Sequence, residues 1–282
     1  MHAPLTKRQK LDGMLGQLKA GISTWEPTLR DIGDYISPYN HEWSTLAGSA
    51  NGDRRDAMIV NETPTQALDV AVSGLFNGLC DPTEAWMSLE TDNPELNKVQ
   101  AVREWCEEVA TIHLAEVAKS NFYTVIPEDF RAILAYGTCA SITMETFEDS
   151  CLWYGSLPMG TYWIGNSNRR KVDKVAREVA MTASQMVQEF GIDKVSDACR
   201  QAYESNRGEQ QFCVVHLVYP NDQYDQSRAF LSKDKKFHSC YYEPRQANYE
   251  DKILLEEGFD TNPIQCSRWS TRGKAPRSIA AS

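Results

Sequence analysis

Catalytic signatures are what this sequence most plainly lacks. Its 282 residues contain no GxSxG elbow, no HExxH, no GxGxxG loop and no P-loop; Gly273-Lys274 is followed by Ala275 and has no upstream glycine at the required spacing. The eight cysteines, at 80, 106, 139, 151, 199, 213, 240 and 266, form no CxxC pair. Scattered free thiols in a reducing compartment are therefore expected. No apolar run reaches the length of a membrane span. The start, MHAPLTKRQKLDGMLGQL, has basic residues but no apolar stretch of the signal-peptide kind. A soluble chain is expected. Internal repeats and low-complexity tracts are also missing.

Positive charge is scarce as well: 29 basic residues face 39 acidic ones, a net charge of −10 with a pI near 5.1. Gripping nucleic acid over a broad surface needs clustered Lys and Arg, so that class is disfavoured. A protein past which DNA slides is compatible with the balance. Only five histidines occur, at 2, 41, 113, 216 and 238. The one arrangement with metal-ligand chemistry is Cys213-x-x-His216 with His238-x-Cys240, which could offer four N/S ligands to zinc if the two strands pair. On a regular strand, however, Cys213 and His216 point to opposite faces. A small buried thiol and a hydrogen-bonded imidazole are the stronger reading. Glu107–Glu108 and Glu256–Glu257 read as solvated faces. So do the short basic clusters Lys7-Arg8-Gln9-Lys10, Arg169-Arg170-Lys171 and Lys233 to Lys236. No catalytic, cofactor-binding or metal-binding residue is assigned, and no enzyme is expected.

Ordinary globular composition is present, with 41% hydrophobic and 24% charged residues and a generous aromatic content of seven Trp and twelve Tyr. The first half reads as helical. Leu11, Met14, Leu15 and Leu18 mark a helix from about Leu5 to Ala20, and a second runs from Trp25 to Tyr35. A polar loop spans Ala47 to Arg55. In the next helix, Thr63 should cap, Pro64 suits the first position and Gln66 completes a capping box. Leu68, Val72, Leu75 and Leu79 form its apolar stripe, and Ala67, Ala71, Gly74 and Gly78 a parallel line of small residues. Two helical glycines each cost about 1 kcal/mol against alanine, so close approach of another backbone is expected to offset them. A long helix is expected from Pro94 to Ser120, with Val102, Trp105, Val109 and Ile112 on its buried face, then a short one from Pro127 to Tyr136 stopped by Gly137.

After Gly137 the period changes to that of strands. Thr138 to Phe147, "TYWIG" and "KVDKVAREVAMT" alternate. Thr182 and Gln185 form a second capping box, for a helix ending at Gly191, and another helix covers Asp193 to Ser205. "QFCVVHLVYP", "RAFLS", "FHSCYYE" and "PIQCSRW" give further strands. The fold class is α+β, a helical half packed with a β-rich half. The divisions are 1–137, 138–270 and an irregular tail at 271–282.

Several stretches, in order, resemble the head-to-tail connector, or portal, proteins of short-tailed bacteriophages. Arg54-Arg55, Ile59 and Asn61-Glu62-Thr63 lead into the small-residue helix and "GLFNGLCDPTEAWMSLE", where Glu62-Thr63, Gly78-Leu79, Pro82 and Trp86-Met87 hold the family positions. "WEPTLRDIGDYISPYN", "KSNFYTVIPEDFRAILAYGTCASITME", "LPMGTYWIGNSNRRKVDKVAREVAMTASQMVQEFG" and "ILLEEGFDTNPIQCSRW" agree as well. The likeness covers roughly residues 11 to 270. Family members continue past the Arg-Trp element into helices that line a channel. Here "STRGKAPRSIAAS" follows, so the portal wing-like body is expected without stem, clip and tunnel helices, as in a C-terminally truncated member.

The resemblance implies a non-enzymatic virion structural protein without cofactors. Its subunits would form a homo-oligomeric ring, a dodecamer in the full-length protein, at the capsid vertex. Double-stranded DNA would be packaged and ejected through that ring without sequence-specific binding. Implied partners are the terminase, the tail adaptor and capsid or scaffold proteins, with no membrane, in the virion and in host cytoplasm during assembly. Two rivals stand beside it: a metal-dependent intracellular hydrolase around Cys213, His216, His238 and Cys240, and a monomeric α+β interaction module.

Overall fold

A computed structural model describes residues 6–38, 42–43, 59–146, 150–224, 231–244 and 253–269. Among them the helices are α1 (Lys7–Ile22), α2 (Glu26–Ile36), α3 (Thr63–Leu79), α4 (Gln100–Lys119), α5 (Phe122–Tyr136), α6 (Ala183–Phe190) and α7 (Asp197–Glu204). The strands are β1 (Thr138–Glu145), β2 (Leu152–Leu157), β3 (Tyr162–Asn166), β4 (Val172–Thr182), β5 (Gln211–Pro220), β6 (Phe237–Tyr242), β7 (Leu255–Phe259) and β8 (Ile264–Arg268). They form two antiparallel sheets, ordered β2-β1-β8 and β3-β4-β5-β6-β7. The protein is α+β.

β5 lies at the centre of the larger sheet, and its run Val214 to Val218 is buried continuously because both faces are covered. Leu11 and Leu15 of α1 pack on one side with Ala176, Val215, Leu217 and Tyr242. On the other, Met186 and Phe190 of α6 and Cys199 and Ala202 of α7 pack with Val214. A third core joins the two sheets: Ile22 and Leu29 from the N-terminal helices meet Ala132 and Tyr136 of α5, Ile142 of β1 and Ile164 of β3. Helices of the first half thus share hydrophobic cores with strands of the second.

Local chemistry explains most boundaries. Thr182 and Gln185 form the expected reciprocal capping box, and Thr6 with Gln9 forms another. Gly137 ends α5 in the left-handed region, φ 76°, where a side chain would be strained. Some expectations fail. α3 begins at Thr63 after Glu62 with no side-chain cap, so the expected Thr63 cap and box do not form; Asn61 Oδ1 instead accepts from the Thr63 backbone N–H at 2.9 Å and from its hydroxyl at 2.7 Å. α5 starts at Phe122, so Pro127 lies inside it; a Pro in a helix interior costs about 3 kcal/mol, and the aromatic contacts of Phe122 and Tyr123 described below oppose that cost. The long helix divides into a 3-10 turn, Leu96–Lys98, and α4. α7 begins later than Asp193, at the cap Ser196. β2 and β7 were not foreseen. Of "RAFLS", residues 228–230 lie outside the described residues, as do Arg54-Arg55, and Leu231 and Ser232 are not in a strand.

Candidate assembly surface

The stretch after α3 is fixed by its own side chains. Asp81 accepts from the Thr83 backbone N–H at 2.8 Å and from the Thr83 hydroxyl at 2.6 Å, and these bonds hold its carboxyl below the usual range. The turn delivers Trp86 onto Phe122, stacked with centroids 5.8 Å apart and planes 11° from parallel. Trp86 Nε1 donates to Tyr123 Oη at 3.0 Å. Phe122 in turn meets Tyr123 and Tyr154 edge-on, and Phe76 of α3 meets Tyr123 in the same way. One aromatic cluster therefore ties α3, the 80–91 segment, α5 and β2 together.

Asn121, just before α5, completes the joint. Its Oδ1 accepts from the Tyr154 N–H at 2.9 Å, and its Nδ2 donates to the Tyr154 carbonyl at 2.6 Å. The amide occupies the place of a neighbouring strand on the free edge of β2, which is one way a sheet edge is blocked. Sequence reasoning passed over Asn121; its position in "KSNFY", immediately before a helix, was the available signal. A cleft of about 520 Å³ lies between the 85–90 segment and α4, lined by Met87, Leu89, Arg103, Cys106, Glu107 and Leu114 among others.

The exposed faces differ from expectation. Leu68 and Val72 of α3 are buried, but Leu79 is 54% exposed. Ala67, Ala71, Gly74 and Gly78 are all exposed, and a Cβ added at either glycine would meet nothing within 4 Å. No backbone of the described chain approaches that line. α4 is rotated from its expected orientation: Cys106, Ala110 and Val117 are buried, while Trp105 and Ile112 stand 61% and 57% exposed.

The four candidate metal ligands do not converge. His216 is buried on one face of the larger sheet. Arg177 Nε donates to its Nδ1 at 3.0 Å, so the ring proton sits on Nε2, which donates to Ser239 Oγ at 2.8 Å. Burial, with the nearby Arg177 charge, pushes the imidazole well below its ordinary pKa, and Tyr241 stacks on it at 4.0 Å. In this tautomer His216 cannot take a proton from Ser239. Cys240 and His238 pair with Leu217 and Tyr219, putting them on the opposite face from His216. Cys213 is opposite Ala180, four residues along β5 from Leu217, or about 13 Å at strand rise. No group of three or more His, Cys, Asp or Glu side chains is placed to hold a metal among the described residues. All eight cysteines are thiols, and burial pushes Cys199 up to about 11 and Cys139 and Cys266 up to about 12. Those three are protonated and unreactive at neutral pH.

The basic clusters separate. Arg8 is not solvated: it is buried, donates to the Glu243 carbonyl and lies over the Tyr242 ring at 4.6 Å. The Glu243 carboxylate accepts from the Ser196 N–H and hydroxyl, fixing the start of α7 to the end of β6. Lys7 pairs with Glu256 at 2.5 Å and Lys235 with Asp260 at 3.6 Å. Arg169, Arg170 and Lys171 are exposed, as expected, in the β3–β4 turn.

Comparison with known proteins gives this arrangement of surfaces a family. A family model described as "Bacteriophage head to tail connecting protein" matches residues 8–276. The chain belongs to that family. It is 33% identical to the "Portal protein" of Salmonella phage epsilon15 over 95% of its length, and 31% identical to the "Probable portal protein" of Bordetella phage BPP-1 over 96%. In each case it covers 48% of the relative, so the chain spans about half the length of these connector proteins. Of the stretches that carried the resemblance, two supply Trp86, Asn121 and Phe122, which meet Tyr154 of β2 in the aromatic cluster and the edge block. The hydrolase reading has no support in either comparison or geometry.

Proposed function

We propose that this chain is the body of a portal subunit and that copies of it stand side by side in a ring at the capsid vertex. Membership in the connector family carries the reading, together with two relatives whose names say portal. Residues 1–137 and 138–270 are its helical and β-rich parts, and it acts without catalysis or cofactor. The ring passes double-stranded DNA during packaging and ejection, receives the terminase and later the tail adaptor, and belongs to the virion after assembly in the host cytoplasm. Two observations support the physical side. The line from Ala67 to Gly78 is open to a neighbour, and the net charge of −10 suits a conduit that repels phosphate instead of holding it. Among the described residues no helix is long and apolar enough to cross a membrane.

Native mass spectrometry with negative-stain imaging tests the proposal. Closed rings formed by this chain, or its incorporation into rings of the full-length epsilon15 portal protein, are expected. A chain that forms no ring and enters none would refute it.

A further inference from the structure

Charge is segregated on this molecule. Between Asp81 and Glu116 the sequence has nine acidic residues and two basic ones; between Thr261 and Ser282 it has four basic residues and no acid. Among the described residues two surfaces carry opposite charge. The first is the outer face of α4, where the helical period sets Glu104 and Glu108 beside the exposed Trp105 and Ile112. Neither carboxylate has a salt-bridge partner among the described residues, and Gln100 alone donates to Glu104, at 2.7 Å. Like charges at i,i+4 repel along a helix. Arg103, the nearest base on α4, lines the cleft on another face.

The second surface is the corner where β8 meets the β3–β4 turn. Arg268 Nη2 donates to Asn166 Oδ1 at 2.9 Å and to the Arg170 carbonyl at 2.8 Å, so the end of β8 is fixed to the turn that carries Arg169, Arg170 and Lys171. Those three are exposed and have no acidic partner among the described residues. Trp269 beside them is 65% exposed. The acid next to the turn, Asp173, is partly buried, and burial pushes its carboxyl up.

The two surfaces attach to opposite edge strands of the three-stranded sheet, β2 and β8. α4 is tied to the β2 edge, through Asn121 to Tyr154 and through the Cys151 thiol to Glu116 at 3.7 Å. Leu152 of β2 pairs with Glu145 at the far end of β1. Arg268 is on the other edge strand and pairs with Thr138 at the near end. Two strand spacings, about 10 Å, and nearly the whole of β1, about 24 Å, therefore separate Leu152, beside the C-terminal end of α4, from Arg268. Complementary patches on opposite sides of one subunit are what a head-to-tail, heterologous contact requires.

We infer that copies of this chain join head to tail through these patches: the acidic α4 face with Trp105 and Ile112 of one copy seats on Arg169, Lys171, Arg268 and Trp269 of the next. The inference rests on the ring proposed above and names its lateral contact. Aromatic side chains with a charged rim suit such an interface, and the opposed charges set its register and suppress the reverse pairing.

Charge reversal in the full 282-residue chain tests it. One variant is Glu104→Lys with Glu108→Lys; the other is Arg169→Glu with Lys171→Glu, leaving Arg170, at φ 60°, unchanged. All four sites are exposed, and circular dichroism checks that both variants fold. In sedimentation velocity at low salt each variant alone should associate about ten-fold or more weakly than the unaltered chain. An equimolar mixture, in which every contact again opposes unlike charges, should recover association. A mixture no better than its components overturns the contact. So does an unaltered chain that stays a single copy up to about 100 μM, enough to populate even a weak specific contact. Rings that persist in both variants leave the portal reading standing and overturn this contact. Loss of duplex-DNA binding in the second variant, with unchanged self-association, assigns the corner to phosphate and overturns it too.

Discussion

Replacing Gly74 and Gly78 by alanine separates what α3 needs within one subunit from what it needs beside another. Each glycine lies inside a 17-residue helix with nothing within 4 Å of an added Cβ, so no steric cost opposes the gain in helix propensity. Alanine is worth about 1 kcal/mol over glycine at such a site. The two positions share no partner, so their effects should add to about 2 kcal/mol. For a chain of 282 residues that corresponds to a rise of roughly 3–4 °C in Tm. Thermal unfolding followed by far-UV circular dichroism, at a dilution where copies are separate, measures it. No gain, or a loss, refutes the reasoning, because it would mean that a backbone of the same chain comes close enough in solution to need the missing Cβ. Gly74→Leu, in contrast, should leave the separate chain folded and weaken ring formation if the open line meets a neighbour.

Asn121→Ala removes both bonds to the Tyr154 backbone and should cost about 1–3 kcal/mol in chemical denaturation; the unblocked β2 edge should also raise the tendency to aggregate. Asp129, 7% exposed, accepts from Ser156 at 2.7 Å, and burial raises its carboxyl pKa despite that bond. Its contribution to stability is therefore full in acid and is lost as pH rises through the folded pKa. Asp129→Asn should accordingly raise stability at pH 7 by about 1 kcal/mol, with the advantage fading in acid; an unchanged pH profile would refute the assignment. His216, whose pKa is depressed, has the opposite sign: its contribution is present above the ordinary value of 6.5 and falls as pH drops below it. A long-range ¹H–¹⁵N spectrum should find its proton on Nε2, and a proton on Nδ1 would refute the Arg177 bond.

Where a local signal and the tertiary environment agree, the elements were legible. The Thr182 capping box, Gly137 and the strand from Gln211 to Pro220 follow from residue chemistry that nothing overrides. At Pro127 the local signal points to a helix start, yet Phe122 and Tyr123 extend the helix toward the protein's N-terminus because their rings have partners on Trp86, Phe76 and Tyr154. β2 and β7 are short, and Gly155 and Gly258 weaken the β signal inside them. Each becomes a strand by pairing with the strand just before it, β2 with β1 and β7 with β6. Arg8 reads as solvated in a basic run because its acceptor, the Glu243 carbonyl, lies 235 residues away.

α4 shows why an exposed apolar face is harder to read than a core. Helical periodicity identifies which residues share a face, and it grouped Trp105 with Ile112 correctly. It cannot say whether that face meets the same chain or another one, since either contact removes the same apolar area from water. The apolar spacing of Val102, Trp105, Val109 and Ile112 points to them as the buried face. The fold instead buries Cys106, Ala110 and Val117, smaller residues that let α4 lie close to its own subunit. Leaving a tryptophan and an isoleucine in water has a cost that burying three smaller side chains does not remove, and it persists until another surface covers them. Within the described chain nothing does. The exposure of Trp105 and Ile112 thus follows from the tertiary arrangement, which the residues around them, taken alone, do not contain.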